Sequence, residues 1–232
     1  ALYSNTTGER NVAIGEECLY NNTIGIRNTA MGMYALNSNT TGNYSTAIGY
    51  GAAGTMTVGG YVTAVGYGAG NTYNPAAGAE GYGSVFVGYN AGTAVTTGTD
   101  NTLVGANAGQ RITTGQYNIA LGGGALNATT TGTYNTAIGY QTLLANTTGQ
   151  HNVSVGYNSS PSITNGAGNT VMGSQALGAA TTGTHTAIGY ASLLVATTGT
   201  SNTAVGYQSG RAVTTGSTNT LIGDNAGYTG TN

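Results

Sequence analysis

Side chains able to do acid–base chemistry are sparse in this chain of 232 residues: Glu9, Glu16, Glu17, Glu80, Asp100, Asp224, His151 and His185. General acid–base catalysis needs two such groups converging on one pocket. Only Glu16 and Glu17 are neighbours, and adjacent residues of a strand face opposite ways. His151 and His185 are 34 residues apart, two turns of the repeat described below. At about 4.8 Å per turn they stand too far apart to share a zinc ion whose ligands each reach about 2 Å, so both are expected as solvated turn residues. Calcium-binding β-rolls need a regular Asp in each unit, and there is none. Cys18 is the single cysteine and lysine is absent, which removes a disulfide framework, the P-loop lysine and Schiff-base chemistry. The glycine strings at 66–71 and 122–126 have no strand-to-helix context and read as corners rather than phosphate cradles. The expectation is no catalytic, cofactor-binding or metal residue, no cofactor and no enzyme.

The remaining candidates are surface chemistries that recur. Tyr50, Tyr67, Tyr89, Tyr140, Tyr157, Tyr190 and Tyr207 fall at one recurring place, a stripe able to stack on sugars, to pack on another subunit, or simply to stack coil on coil. Tyr73, Asn74 and Pro75 sit in an insertion expected to bulge outward as a loop over 71–83, a second candidate for partner contact. Thr6, Thr40, Thr96, Thr113, Thr130, Thr147, Thr181, Thr197 and Thr214, each followed by a second threonine, form ladders that resemble those of ice-binding solenoids. Candidate glycosylation acceptors in N-x-S/T context are Asn5, Asn21, Asn39, Asn43, Asn127, Asn146, Asn152 and Asn158; glycans would hydrate a nearly uncharged chain.

What must position these residues is a repeat. Asn135 to His151, NTAIGYQTLLANTTGQH, recurs along the chain, and with Asn135 as position 1 the glycine of position 5 appears thirteen times from Gly15 to Gly223. The interval is 17 except for 22 between Gly66 and Gly88 and 16 between Gly173 and Gly189. One fixed period is the signature of a solenoid whose units bury themselves only against their neighbours. The TAIG segment is expected as a strand. Position 4 (Ile14, Met31, Ile48 and equivalents) is aliphatic in every copy and is taken as the core, with the β-branched position 2 pointing the same way. Position 8 is always small and predicts an inside corner. Positions 9 and 12 exchange volume: Leu126 goes with Thr129 and Leu143 with Asn146, whereas Gly92 goes with Val95 and Gly109 with Ile112. Both are therefore expected to enter one interior space. Glycines 5 and 15 read as turns needing positive φ, and Asn at position 1 as an amide ladder.

Composition agrees. Charged residues are 4% against roughly 25% in an ordinary domain, with 42 glycines and a net charge of -2. Four arginines make no basic patch, which argues against nucleic acid, and no apolar run nears the roughly 20 residues that span a bilayer. The period shows no compositional break, so a single repeat domain over 1–232 is expected. Ala1 falls at position 8, which reads as a segment of a longer fibre.

On Thr136 to Gly139, the small position 8 and the TTG at 13 to 15, the unit resembles the head repeats of trimeric autotransporter adhesins. Those stack SVAIGxxAxAxG units into left-handed parallel β-rolls. The full NTAIGYxALxxNTTG form also resembles repeats of bacteriophage and bacterial tail-fibre-like proteins. The unit here is about three residues longer than the adhesin repeat, and a single-chain solenoid would satisfy the same pattern. The expectation is an all-β parallel β-solenoid of about 13 to 14 coils, which the resemblance implies to be left-handed and homotrimeric. The function expected is a structural and adhesive extracellular fibre segment on a cell surface or virion, self-associating as trimer or filament, with a glycan or host-surface ligand. An ice-binding or carbohydrate-binding solenoid and a glycosylated filament subunit are the alternatives.

Overall fold

The structure is a computed structural model that describes residues 1–75 and 83–228. The chain divides into two compact units, Ala1–Tyr117 and Asn118–Asn232. Each is a parallel β-solenoid without helix among the described residues. In the first unit, β1 to β6 are Val12–Ile14, Thr29–Met31, Thr46–Ile48, Thr63–Val65, Val85–Val87 and Thr102–Val104; in the second, β7 to β13 are Ile119–Leu121, Thr136–Ile138, Val153–Val155, Thr170–Met172, Thr186–Ile188, Thr203–Val205 and Thr220–Ile222. Each strand is the TAIG segment of one coil and, within each unit, pairs in parallel with its neighbour, so that Thr46 lies over Thr63, Ala47 over Ala64 and Ile48 over Val65. The longer interval does not disturb this register, for Val65 still pairs with Val87. Of the insertion, 76–82 lie outside the described residues.

The face that each strand buries is the opposite of the one expected. Position 3 points inward: Ala30, Ala47, Ala64, Phe86, Leu103, Ala120, Ala137, Ser154, Val171, Ala187 and Ala204 are buried. Position 4 points to solvent, with Ile48 and Ile138 each 37%, Met172 51% and Ile222 70% exposed. The reason lies across the coil. Positions 9 and 12 fill the interior as their volume exchange implied, with Leu36, Leu126, Leu143, Val95, Ile112 and Ile163 all fully buried. The strand opposite can then contribute little more than a methyl group unless position 9 or 12 gives way, as where Val171 faces Leu177 with only Ala180 at position 12. Where position 3 is Phe86, a Cβ added at Gly92 would stand 2.5 Å from its ring, and where it is Leu103, one at Gly109 would stand 2.7 Å from it. Core volume is therefore conserved over three positions rather than two.

Backbone corners also differ from expectation. Position 5 does need glycine, with φ from 125° to 145° along the coils. Position 15 needs it for space instead: a Cβ on Gly132 would sit 2.6 Å from the carbonyl oxygen of Gly149 in the next coil. The left-handed corners fall at positions 7, 9 and 17, on residues such as Gln141 (φ 53), Leu143 (φ 50) and His151 (φ 55), each at a cost of about 1 kcal/mol that the stack must offset. The Asn ladder forms as expected. Asn152 donates its side-chain amide to Asn135 Oδ1 (3.0 Å) and to the Gly166 carbonyl (2.8 Å), while its backbone N–H donates to Asn135 Oδ1 (3.1 Å). A second amide ladder runs at position 12, where Asn39 donates to Asn22 Oδ1 at 2.8 Å.

Candidate functional site

Because strands stack in register, every outward position becomes a row. Positions 2 and 4 make a face of Thr, Val, Ile, Met and Leu that carries no charged residue in any coil. Within the second unit it includes Ile119 (39% exposed), Val153 (40%) and Met172 (51%). Contiguous apolar surface of this kind is uncommon on monomers and marks interaction sites.

The tyrosine stripe follows at position 6, and all seven of its members are exposed. Within the first unit, the rings of Tyr50 and Tyr67 stack at 5.1 Å between centroids, and those of Tyr67 and Tyr89 at 5.5 Å. Within the second, Tyr140 and Tyr157 stack at 5.9 Å and Tyr190 and Tyr207 at 5.4 Å. Their faces are thus turned to each other along the stack, and what reaches solvent is ring edge and hydroxyl. A second row at position 17 was not picked out from sequence, because its residue types vary. There Arg27 lies over Tyr44 and donates to its hydroxyl, Tyr44 stacks on Tyr61 at 5.2 Å, and Tyr134 stacks on His151 at 4.9 Å. The signal was available: aromatic residues recur there at the repeat interval.

Several candidates sit elsewhere than expected. Tyr73 is not on a loop surface but fully buried, its ring edge-on to Phe86 at 5.2 Å. It occupies position 12 of a coil with Gly70 at position 9, so the volume exchange itself placed it inside; burial pushes its phenol pKa up. Pro75 is buried too, and Asn74 accepts hydrogen bonds from the N–H and hydroxyl of Thr57. Among the sequons, Asn39, Asn146 and Asn152 are fully buried within the amide ladders and offer no nitrogen to a glycan. Asn5, Asn21, Asn43, Asn127 and Asn158 are partly exposed. The position-13 threonines are tied into the backbone, Thr147 Oγ1 donating to the Thr164 carbonyl at 3.0 Å and Thr40 to that of Thr57 at 2.9 Å. The outward threonine row is at position 2 instead, from Thr29 to Thr63 and from Thr186 to Thr220.

His151 is exposed, but His185 is buried. The missing residue of its coil moves it into the place of a ladder Asn, where its backbone N–H donates to Asn169 Oδ1 at 2.8 Å. Neither ring nitrogen completes a well-formed hydrogen bond. Burial lowers its pKa, opposed by the nearby Thr182 backbone. Cys18, the residue at the small position 8 of its coil, is buried, and burial pushes its thiol up. Among the described residues no group of three His, Cys, Asp or Glu is placed to hold a metal ion, and no helix is long and apolar enough to cross a membrane. Compared with protein-family models, with curated proteins and with solved structures, the chain finds no match.

Proposed function

We propose that this chain is a structural and adhesive segment of an extracellular fibre that associates with further copies of itself through the outward strand face. The observation carrying this reading is the row of aliphatic side chains at position 4, uncharged throughout and left in water by a coil whose interior is already full. Interfaces between permanent partners are apolar and depleted of charge at their centre, and a nearly charge-free chain has little else to oppose association. In this reading the trimer implied by the adhesin-like repeat covers the strands. The tyrosine hydroxyls and ring edges stay outside for a glycan or host-surface ligand. Multi-angle light scattering tests it. The wild-type chain is expected to be oligomeric, and Ile48→Lys with Ile138→Lys, on outward positions, is expected to yield a folded monomer. A monomeric wild type at high concentration would sink the proposal.

A second reading is favoured by the position-2 threonines standing beside those same aliphatics, with a coil-to-coil repeat of about 4.8 Å. Regular rows of threonine with methyl groups between them are a chemistry for ordering water against ice. It requires a monomer with the face open and shows itself as thermal hysteresis lost in Thr136→Lys.

A further inference from the structure

We propose that the tyrosine ladders are sites of oxidative cross-linking, at which a haem peroxidase with hydrogen peroxide joins neighbouring coils through dityrosine. Tyr50 and Tyr67 follow strands held in one register, and their rings lie 5.1 Å apart and within 9° of parallel. Tyr67 and Tyr89, across the insertion-bearing coil, lie 5.5 Å apart at 17°. The Tyr140–Tyr157 and Tyr190–Tyr207 pairs repeat the arrangement in the second unit at 5.9 and 5.4 Å. These residues are about half exposed, Tyr67 at 53% and Tyr157 at 55%, so an oxidant reaches the ring edge and the hydroxyl.

The chemistry balances. Two phenols each lose one hydrogen atom, as electron and proton, and one hydrogen peroxide takes up both to become two waters. The resulting phenoxyl radicals form a carbon–carbon bond between positions ortho to their oxygens. The hydrogens on those carbons then move to the oxygens, restoring two phenols, so each link lowers the mass by two hydrogens. What the fold supplies is proximity: a partner ring held in contact reacts as an intramolecular neighbour at a high effective concentration. A stacked row also gives a radical several rings to occupy until a second one arises beside it. The product would staple one coil to the next, adding a covalent bond where the stack otherwise relies on hydrogen bonds.

The sequence provides a clean assay, because arginines are few and lysine is absent. Trypsin leaves 28–111 and 112–211 each as one peptide, bearing the ladders of the first and second unit respectively. A link within one chain leaves such a peptide single and two hydrogens lighter, whereas a link between chains joins two peptides. Treatment of the whole chain with horseradish peroxidase and limiting hydrogen peroxide is expected to give dityrosine fluorescence and the lightened single peptides. Fragmentation is expected to place the position-6 links at Tyr50–Tyr67 or Tyr67–Tyr89 and at Tyr140–Tyr157 or Tyr190–Tyr207. The equally close stacks Tyr44–Tyr61 and Tyr3–Tyr20 are expected to link as well, the latter joining 1–10 to 11–27 of one chain. Tyr67→Phe is expected to abolish the links in 28–111 at position 6 and to leave those in 112–211 unchanged. Since each chain is read separately, the result is independent of self-association. Links found mainly between two copies of 28–111 or of 112–211, links scattered onto Tyr228, or an unchanged position-6 yield in Tyr67→Phe would each overturn the proposal.

Discussion

His185 and Gly132 show what single residues carry in this fold. A buried neutral imidazole resists protonation, so its pKa in the folded chain lies below the usual value of about 6.5, and burial is the cause. As pH falls through about 6.5 the unfolded chain binds the proton first, and stability declines from there down to the folded-state pKa, with no change above it. His185→Asn is expected to flatten that decline and raise the melting temperature, because an amide lets the ladder continue from Asn169; thermal melts between neutral and acid pH check this. A wild-type melting temperature constant across that range would contradict it. Gly132→Ala thrusts a methyl group to 2.6 Å from the Gly149 carbonyl oxygen and is expected to cost about 3 kcal/mol. Gly124→Ala, where the nearest atom is 3.5 Å away and only φ +68° is at issue, is expected to cost about 1 kcal/mol. Urea unfolding separates the two, and equal losses would refute the distinction between glycines needed for space and glycines needed for φ.

A coil is the unit in which volume is conserved, and Phe86 with Gly92 tests it. Gly92→Leu alone drives side-chain atoms into the Phe86 ring, an overpacking worth about 1–3 kcal/mol. Phe86→Ala alone leaves a cavity worth about 3–5 kcal/mol. The double variant reproduces the Ala-and-Leu pairing of Ala137 with Leu143, both fully buried. It is expected to be more stable than Phe86→Ala, with a coupling above about 1 kcal/mol in urea unfolding; additive losses would mean that positions 3 and 9 do not share space. Much of this was legible beforehand. The exchange between positions 9 and 12 showed as anticorrelated sizes, and by that rule Tyr73 opposite Gly70 belonged inside. Position 3 was harder to read because Ala is small enough for either side of a strand, while the bulky aliphatic at position 4 mimics a core residue.

Across the whole molecule, the ladders decide which sequence features stay available. If the chain is produced in a glycosylating secretory pathway, peptide mapping of the folded product is expected to find glycan only among Asn5, Asn21, Asn43, Asn127 and Asn158. None is expected at Asn39, Asn146 or Asn152, whose amide nitrogens are buried donors; occupancy at any of these three would contradict the ladder assignment. By itself the sequence determined the period, the strand in each coil, the in-register stacking and the buried corner at position 8, because a repeat that cannot bury itself alone must stack on its like. Only the tertiary structure decided which side of that strand is wet, since alternation defines two faces without naming the inner one. The cross-section of the coil names it: side chains from positions 9 and 12 occupy the interior, a methyl group fits opposite them, and the aliphatics of position 4 are left outside.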